Sequence, residues 1–226
     1  IILPNAPMNI PEYREKYKIK TVRSPIYLGH SSVNNRTMEE YENVVISTSS
    51  ATEEDIQEMY LYSWVILSMH SFGILEYVSR YYKKAHGMSF MKFYEEVIEF
   101  CKTEKSIFSE EYEKVIEHRN KGYQGKGWNH HDPNLGDIFW PIEEATWLRL
   151  VSQKKRTLDG INSLLDYLEK KFGYTTPKEI LQDLVKFQLF LISTKEDQDV
   201  IKSENFDYDW KGFFDNSSEL KQTKKS

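Results

Sequence analysis

The residues best suited to chemistry stand together in one short run, His130-His131-Asp132. Imidazole and carboxylate groups in combination suit divalent metal ions and proton transfer. The spacing is unfavourable, however, because adjacent side chains rarely face one ion and no further histidine lies at helical spacing. A polar turn that ends at Pro133 explains the same residues equally well. His130 and His131 are therefore candidate metal ligands, with an ordinary loop as the favoured interpretation.

Two other patterns resemble parts of catalytic sites. Glu143-Glu144 is a carboxylate pair, yet acidic residues are expected in the first turn of a helix because they complement its dipole. Ser31 beside His30 could pair a nucleophile with a base. No nucleophile-elbow motif surrounds these two residues, and local hydrogen bonding in a turn explains them. Neither pattern predicts an active site by itself.

Composition narrows the class of protein. Lys and Arg total 30 against 35 Asp and Glu, so we expect no long-range attraction to a polyanion and no nucleic acid partner. Cys101 is the only cysteine, so this chain cannot form an internal disulfide or hold an iron-sulfur cluster by itself. The longest apolar run, residues 64–75, is too short to cross a bilayer. We therefore expect a cytoplasmic protein with no membrane partner and no cofactor in this chain.

The spacing of apolar residues predicts a mainly helical fold. Thr52 precedes three acidic residues, which is typical of a capped helix N-terminus. Helical periodicity then predicts helices over residues 52–84, 89–102, from 109 onward, 141–172 with a possible kink at Gly160, and from 176 onward. A β-branched run at residues 44–46 predicts a strand. The expected fold class is mainly α: a helical bundle with a loop-rich N-terminal segment and at most one or two short strands.

The sequence suggests three segments along the chain. Residues 1–50 are rich in proline and read as a loop-rich segment linked to an upstream domain that is absent here. Its first residues, Ile1-Ile2-Leu3, resemble the end of a buried strand whose pairing partners are missing. Residues 51–200 form the helical domain, and residues 201–226 form a tail that we expect to be partly disordered. The chain is therefore expected to be part of a larger protein.

Four stretches of the first 150 residues carry a resemblance to known proteins. The longest runs from Leu3 to Tyr17 (LPNAPMNIPEYREKY) and continues as IKTV at residues 19–22. The other stretches are RSP at 23–25 with GHSS at 29–32, the strand-to-helix join at 44–55, and FWPIEEA at 139–145. Together they resemble the region that follows the catalytic barrel in cobalamin-dependent radical S-adenosylmethionine proteins, a group that includes Fe-S oxidoreductase-like proteins.

The resemblance implies a parent enzyme with an N-terminal corrinoid-binding α/β domain and a barrel whose three-cysteine motif holds a 4Fe-4S cluster. That enzyme would cleave S-adenosylmethionine to start radical chemistry on a small-molecule substrate. None of the cysteine motif is in this chain, so the resemblance implies an accessory domain that partners the barrel and corrinoid domains of the same protein. It would cover the barrel mouth and shape the substrate pocket. The candidate pocket residues, chosen by their proximity to the barrel along the chain, are Asn5, Pro7, Arg14, Arg23, His30 and Ser31.

Two alternative functions remain open. One is a helical protein-protein interaction module, in which the long loop between residues 120 and 140 docks a partner through Trp128 and Trp140 as buried anchors. The other is a free-standing small-molecule metalloenzyme built on His130, His131 and Glu144. A stable complex formed without any upstream barrel would favour the first alternative, and tight zinc or iron binding would favour the second.

Overall fold

The computed structural model describes residues 1–3, 5–34, 39–192, 203–215 and 219–223. The described chain is mainly helical, which confirms the predicted fold class. Its two strands are β1 (Lys20–Pro25) and β2 (Tyr41–Ser47). Its α-helices are α1 (Pro11–Lys16), α2 (Glu53–Val65), α3 (Glu76–His86), α4 (Phe90–Thr103), α5 (Ile107–Tyr123), α6 (Ile142–Ser152), α7 (Lys154–Phe172), α8 (Lys178–Leu191) and α9 (Trp210–Asp215). None of the helices in these ranges has the length and apolar character that crossing a membrane requires.

The chain divides into two compact units. Unit 1 contains Ile1–Trp64 and Glu113–Thr146, and unit 2 contains Val65–Tyr112 and Trp147–Ser226. Each unit therefore combines segments that are distant in sequence. The division at residues 50 and 200 was based on chain order, and it stays a prediction.

Unit 1 contains the sheet, in which β1 and β2 are antiparallel and Val22 pairs with Val44. The predicted strand at residues 44–46 lies within β2. Ile2 is buried and its backbone N–H donates to the carbonyl of Asn43 at 2.8 Å. Ile2 therefore has a pairing partner in β2 of this chain, whereas the upstream domain stays a prediction.

The helix predicted over residues 52–84 begins as expected but is interrupted. Thr52 Oγ1 accepts from the backbone N–H of Asp55 at 3.1 Å, which confirms the predicted cap. A π-helix, Ile66–Ser71, then follows α2, and Gly73 adopts a left-handed conformation (φ 81°) before α3 begins. The buried side chain of Gln188 donates to the Gly73 carbonyl at 2.6 Å and accepts from the Tyr77 N–H at 2.7 Å. It thereby replaces the hydrogen bonds that a continuous helix would make.

The helix predicted over residues 141–172 is also divided, but not at the predicted place. It breaks at Gln153, between α6 and α7. The hydroxyl of Thr157 donates to the carbonyl of Leu150 at 2.6 Å, and the same carbonyl accepts from the Gln153 N–H at 3.3 Å, so both bonds lie at the break. Gly160 lies inside α7, where an added Cβ would meet the side chain of Ile107 at 3.1 Å. The glycine therefore permits close packing within one continuous helix, and the kink at Gly160 stays a prediction.

The described part of the tail is packed within unit 2. Trp210 in α9 is only 1% exposed. Its indole N–H donates to the buried carboxylate of Asp183 at 2.8 Å. Tyr208 and Gln222 form an antiparallel bridge. Residues 193–202, 216–218 and 224–226 lie outside the described residues, and the predicted partial disorder of the tail is untested there.

Candidate functional site

Unit 1 brings several of the sequence candidates together in one group. The group, which we call the histidine cluster, consists of His30, Tyr60, His118, Trp128, His130, Trp140 and Glu144. Its framework is the loop between α5 and α6, where His130 and Trp140 exchange backbone hydrogen bonds of 3.1 and 2.7 Å. The N-terminal segment joins this loop because the His30 N–H donates to the carbonyl of Phe139 at 2.6 Å. The cluster thus combines residues from three distant parts of the sequence.

His30 occupies the exposed side of the cluster. Its backbone is left-handed (φ 64°), a conformation that is uncommon outside glycine and often marks functional positions. Its Nε2 lies 2.6 Å from Glu144 Oε2, and its ring meets Trp140 edge-on at 5.2 Å between centroids. His30 and Glu144 therefore present an imidazole and a carboxylate together near the surface, which the separate sequence patterns did not predict.

His118 occupies the buried side and was not among the sequence candidates. It is 5% exposed, and its Nδ1 lies 2.6 Å from the hydroxyl of Tyr60. Burial and, to a smaller extent, the nearby His130 lower the pKa of His118 to about 4. The backbone of Trp128 opposes this shift without completing a hydrogen bond to Nε2. The imidazole is therefore neutral at pH 7, and burial also raises the pKa of Tyr60, which stays a neutral phenol.

A sequence signal for His118 did exist. Val115, His118 and Gly122 follow helical spacing, and all three are buried in α5. A Cβ at position 122 would lie about 2.5 Å from the Trp128 ring, so the indole packs directly on the helix backbone. A histidine on such an apolar face is expected to be buried, and burial shifts the pKa of its side chain.

Three buried nitrogens of the cluster have no hydrogen-bond partner in the described part of the chain. They are His118 Nε2, Trp128 Nε1 and Trp140 Nε1. Buried polar atoms are nearly always paired, so each exception calls for an explanation. The rings of Trp128 and His130 each lie 6.3 Å from the His118 ring, and the Trp128 ring also contacts Tyr60 at 5.4 Å. The Trp128 indole thus contacts His118 directly, whereas Trp140 joins the cluster through its backbone bridge to His130.

The other predicted pocket residues lie elsewhere in unit 1 or make local contacts. Ser31 follows His30, and its hydroxyl donates to the carbonyl of Leu28 at 2.6 Å, as expected for a turn. Arg14 donates to the hydroxyl of Thr21 at 2.7 Å. The guanidinium of Arg23 lies over the ring of Tyr41 at 4.0 Å. The remaining two, Asn5 and Pro7, are exposed. Lining of a pocket by these residues stays a prediction.

The two adjacent histidines of the loop face different neighbours. The His130 ring faces His118, whereas the exposed His131 lies 6.4 Å from the ring of Phe139. The described residues contain no group of three or more His, Cys, Asp or Glu side chains that could hold a metal ion. The anchoring role of Trp128 and Trp140 towards a partner is untested, but both indole nitrogens are buried within unit 1.

The depressed pKa of His118 predicts a loss of stability in acid. Between pH 4 and 6.5 the unfolded chain binds a proton at this residue that the folded chain excludes. The free energy of unfolding should therefore be unaffected by His118 above pH 6.5 and should fall by about 3 kcal/mol as the pH decreases to 4. Urea denaturation at a series of pH values measures this loss, and the His118→Gln variant should lack it.

The exposed His131 supplies the control, because His131→Gln should reproduce the wild-type pH profile. His70 and His86 also have pKa values lowered by burial and contribute in the same direction. The free energy of unfolding of His118→Gln should therefore still depend on pH, and the test is the difference between its pH profile and those of the wild type and His131→Gln. An identical pH dependence in wild type and His118→Gln would contradict the assignment.

Comparison with known proteins identifies a partial similarity. The chain is 29% identical over 94 residues to the cobalamin-dependent radical SAM methyltransferase TokK of Streptomyces tokunonensis. The match covers 42% of this chain but spans only 14% of the length of TokK. No family model matches the chain. Part of this chain is therefore similar to part of a cobalamin-dependent radical SAM methyltransferase.

Proposed function

We propose that this chain is an accessory helical domain of a cobalamin-dependent radical SAM enzyme, which covers the catalytic barrel and shapes the substrate pocket. The similarity to TokK over 94 residues carries the proposal. The barrel, the corrinoid-binding domain and the small-molecule substrate are the proposed partners. The 4Fe-4S cluster, S-adenosylmethionine and cobalamin are assigned to the rest of the parent protein.

The residues of this chain do not fit an iron-sulfur cluster, which supports an accessory role. Such a cluster is held by several cysteine thiolates, and Cys101 is the only cysteine. Cys101 is 4% exposed, and burial raises the pKa of its thiol to about 12. A thiol in this environment is protonated and inert at neutral pH. No step of the radical chemistry is therefore assigned to this chain.

The surface of unit 1 supports docking to another domain. Large apolar side chains are concentrated in its N-terminal segment, and exposed apolar groups concentrated in this way mark interaction surfaces. The most exposed are Ile1 (70%), Leu28 (69%), Leu3 (66%) and Ile10 (51%). We assign this surface to the contact with the barrel. His30 and Glu144 then offer the polar groups of unit 1 that would reach the pocket.

The cofactor content of the full-length protein tests the proposal. The protein should be purified without oxygen from its natural reading frame, and its iron and corrinoid content measured. About four irons per chain together with a bound corrinoid is the expected result. If neither cofactor is present, the proposal fails and a protein-protein interaction module becomes the better hypothesis.

The role of His30 can be separated from its effect on folding. A glycine at this position accepts the left-handed backbone without strain, which offsets the loss of the exposed contact between His30 and Glu144. The His30→Gly variant should therefore change the free energy of unfolding by less than about 1 kcal/mol. Turnover of the full-length enzyme should nevertheless fall at least tenfold, as measured under anaerobic conditions.

A matched pair of carboxylate variants completes the test. Glu144→Gln should reduce turnover as His30→Gly does, whereas Glu54→Gln makes the same charge change at an exposed position in the first turn of α2. The Glu54 variant should be as active as the wild type. Full activity of both His30→Gly and Glu144→Gln would remove these residues from the pocket.

A further inference from the structure

The unpaired nitrogens of the histidine cluster point to a ligand with hydrogen-bond acceptors. An indole N–H can only donate, so Trp128 and Trp140 each contribute a buried donor without an acceptor. Leaving a buried donor unsatisfied is unfavourable. Two such donors in one loop, beside a third unpaired nitrogen in α5, are therefore expected to serve a bound group.

The hydrogen bond between Tyr60 and His118 determines the character of the third nitrogen. Tyr60 has no other side-chain hydrogen-bond partner in the described part of the chain, so we assign the shared proton to its hydroxyl, which then donates to His118 Nδ1. His118 is neutral at pH 7, and a neutral imidazole that accepts at Nδ1 carries its proton on Nε2. His118 Nε2 is therefore also a donor, and all three unpaired groups have the same polarity.

The surroundings distinguish between the possible acceptors. The donors are uncharged, and the rings of Tyr60 and Tyr123 pack against Trp128 at 5.4 Å each. A buried carboxylate or phosphate needs a positive partner to offset its desolvation, and the neutral His118 does not supply one. A cation would be repelled by the N–H groups. An uncharged carbonyl oxygen satisfies the donors without adding charge.

We propose that His118, Trp128 and Trp140 form a binding site in unit 1 for an uncharged carbonyl group, such as an amide. The two indoles lie on the loop between α5 and α6, so side-chain movements in that loop can admit the ligand. The site depends only on unit 1 and does not rest on the proposed function. It can therefore be tested on this 226-residue chain alone.

Titration of the ¹⁵N-labelled chain with N-methylacetamide tests the site. The chain has five tryptophans, and their indole N–H resonances can be followed separately by NMR. The resonances of Trp128 and Trp140, assigned from the Trp128→Phe and Trp140→Phe variants, should move and saturate. The other indoles should not. Acetate, which has the same acceptor oxygen but a negative charge, should bind at least tenfold more weakly.

Variants and contrary outcomes complete the test. His118→Phe, and His118→Leu as a second variant should the first fail to fold, should each weaken N-methylacetamide binding roughly tenfold by removing one donor. Circular dichroism confirms that the variants are folded. Equal, non-saturating shifts of all indoles would overturn the proposal. Tighter binding of acetate than of N-methylacetamide would also overturn it. The same holds if the indole protons of Trp128 and Trp140 exchange with water but their resonances do not move when N-methylacetamide is added.

Discussion

The Glu111→Gln variant is expected to lose about 3–5 kcal/mol of the free energy of unfolding, because it removes a carboxylate that pairs with a buried arginine. Glu111 is 1% and Arg149 7% exposed. Arg149 Nε lies 2.9 Å from both carboxylate oxygens of Glu111, and Nη2 lies 2.7 Å from Oε2. Both residues belong to unit 2. Urea denaturation followed by circular dichroism measures the loss.

The neighbouring residue provides the control. Glu110 forms an ion pair with Arg156 at 2.5 Å, but both side chains are about half exposed (50% and 49%). Solvent-exposed pairs of this kind contribute little, so Glu110→Gln should cost less than about 1 kcal/mol. The double variant Glu111→Leu/Arg149→Met should recover most of the loss, because it removes both buried charges together. Equal costs at positions 110 and 111 would show that burial of the Glu111 pair has no special energetic role.

The Trp210→Ala variant, tested separately, is expected to lose about 3–5 kcal/mol of the free energy of unfolding. This is the usual cost of replacing a fully buried tryptophan by alanine. The indole contacts the rings of Tyr81 and Phe213, with centroids about 6 Å away. The buried Asp183 carboxylate accepts a hydrogen bond from the indole N–H. It also accepts hydrogen bonds from the backbone N–H groups of Asp207 and Tyr208. Urea denaturation gives the cost.

Limited proteolysis gives a second readout of the same variant. If Trp210 holds α9 in place, Trp210→Ala should be cleaved faster by trypsin at Lys211 and Lys221 than the wild type. Lys211→Ala, at an exposed neighbouring position, should keep wild-type stability. Wild-type cleavage rates in Trp210→Ala would mean that the tail does not depend on this indole.

These two variants lie in unit 2, whereas the proposed docking surface, the histidine cluster and the proposed carbonyl site lie in unit 1. Loss of stability in Glu111→Gln or Trp210→Ala can therefore be compared with loss of turnover in His30→Gly. A variant that lowers turnover without lowering stability identifies a functional role. One that lowers both identifies a structural role.

The sequence alone determined the features that depend on neighbouring residues. Thr52 caps α2 as predicted, and Ser89, the first residue of the helix predicted over 89–102, caps α4 by accepting from the Lys92 N–H at 3.1 Å. Gly173 ends α7 directly after residue 172, where the predicted helix ends. A cap or a stop is formed within three or four residues of the chain, so its signature is contained in a short stretch of sequence. The mainly helical fold class follows from the same local patterns.

Only the tertiary structure decided which distant residues meet. His30 and Glu144 are 114 residues apart, and Tyr60 and His118 are 58 apart. The break before α3 likewise depends on Gln188, which is 115 residues from Gly73. Burial and pairing at such separations depend on the path of the whole chain, which no short pattern specifies. For this reason the sequence does not predict the contact between Tyr60 and His118, and it relates Glu144 to the first turn of its helix and to His130 and His131 but not to His30.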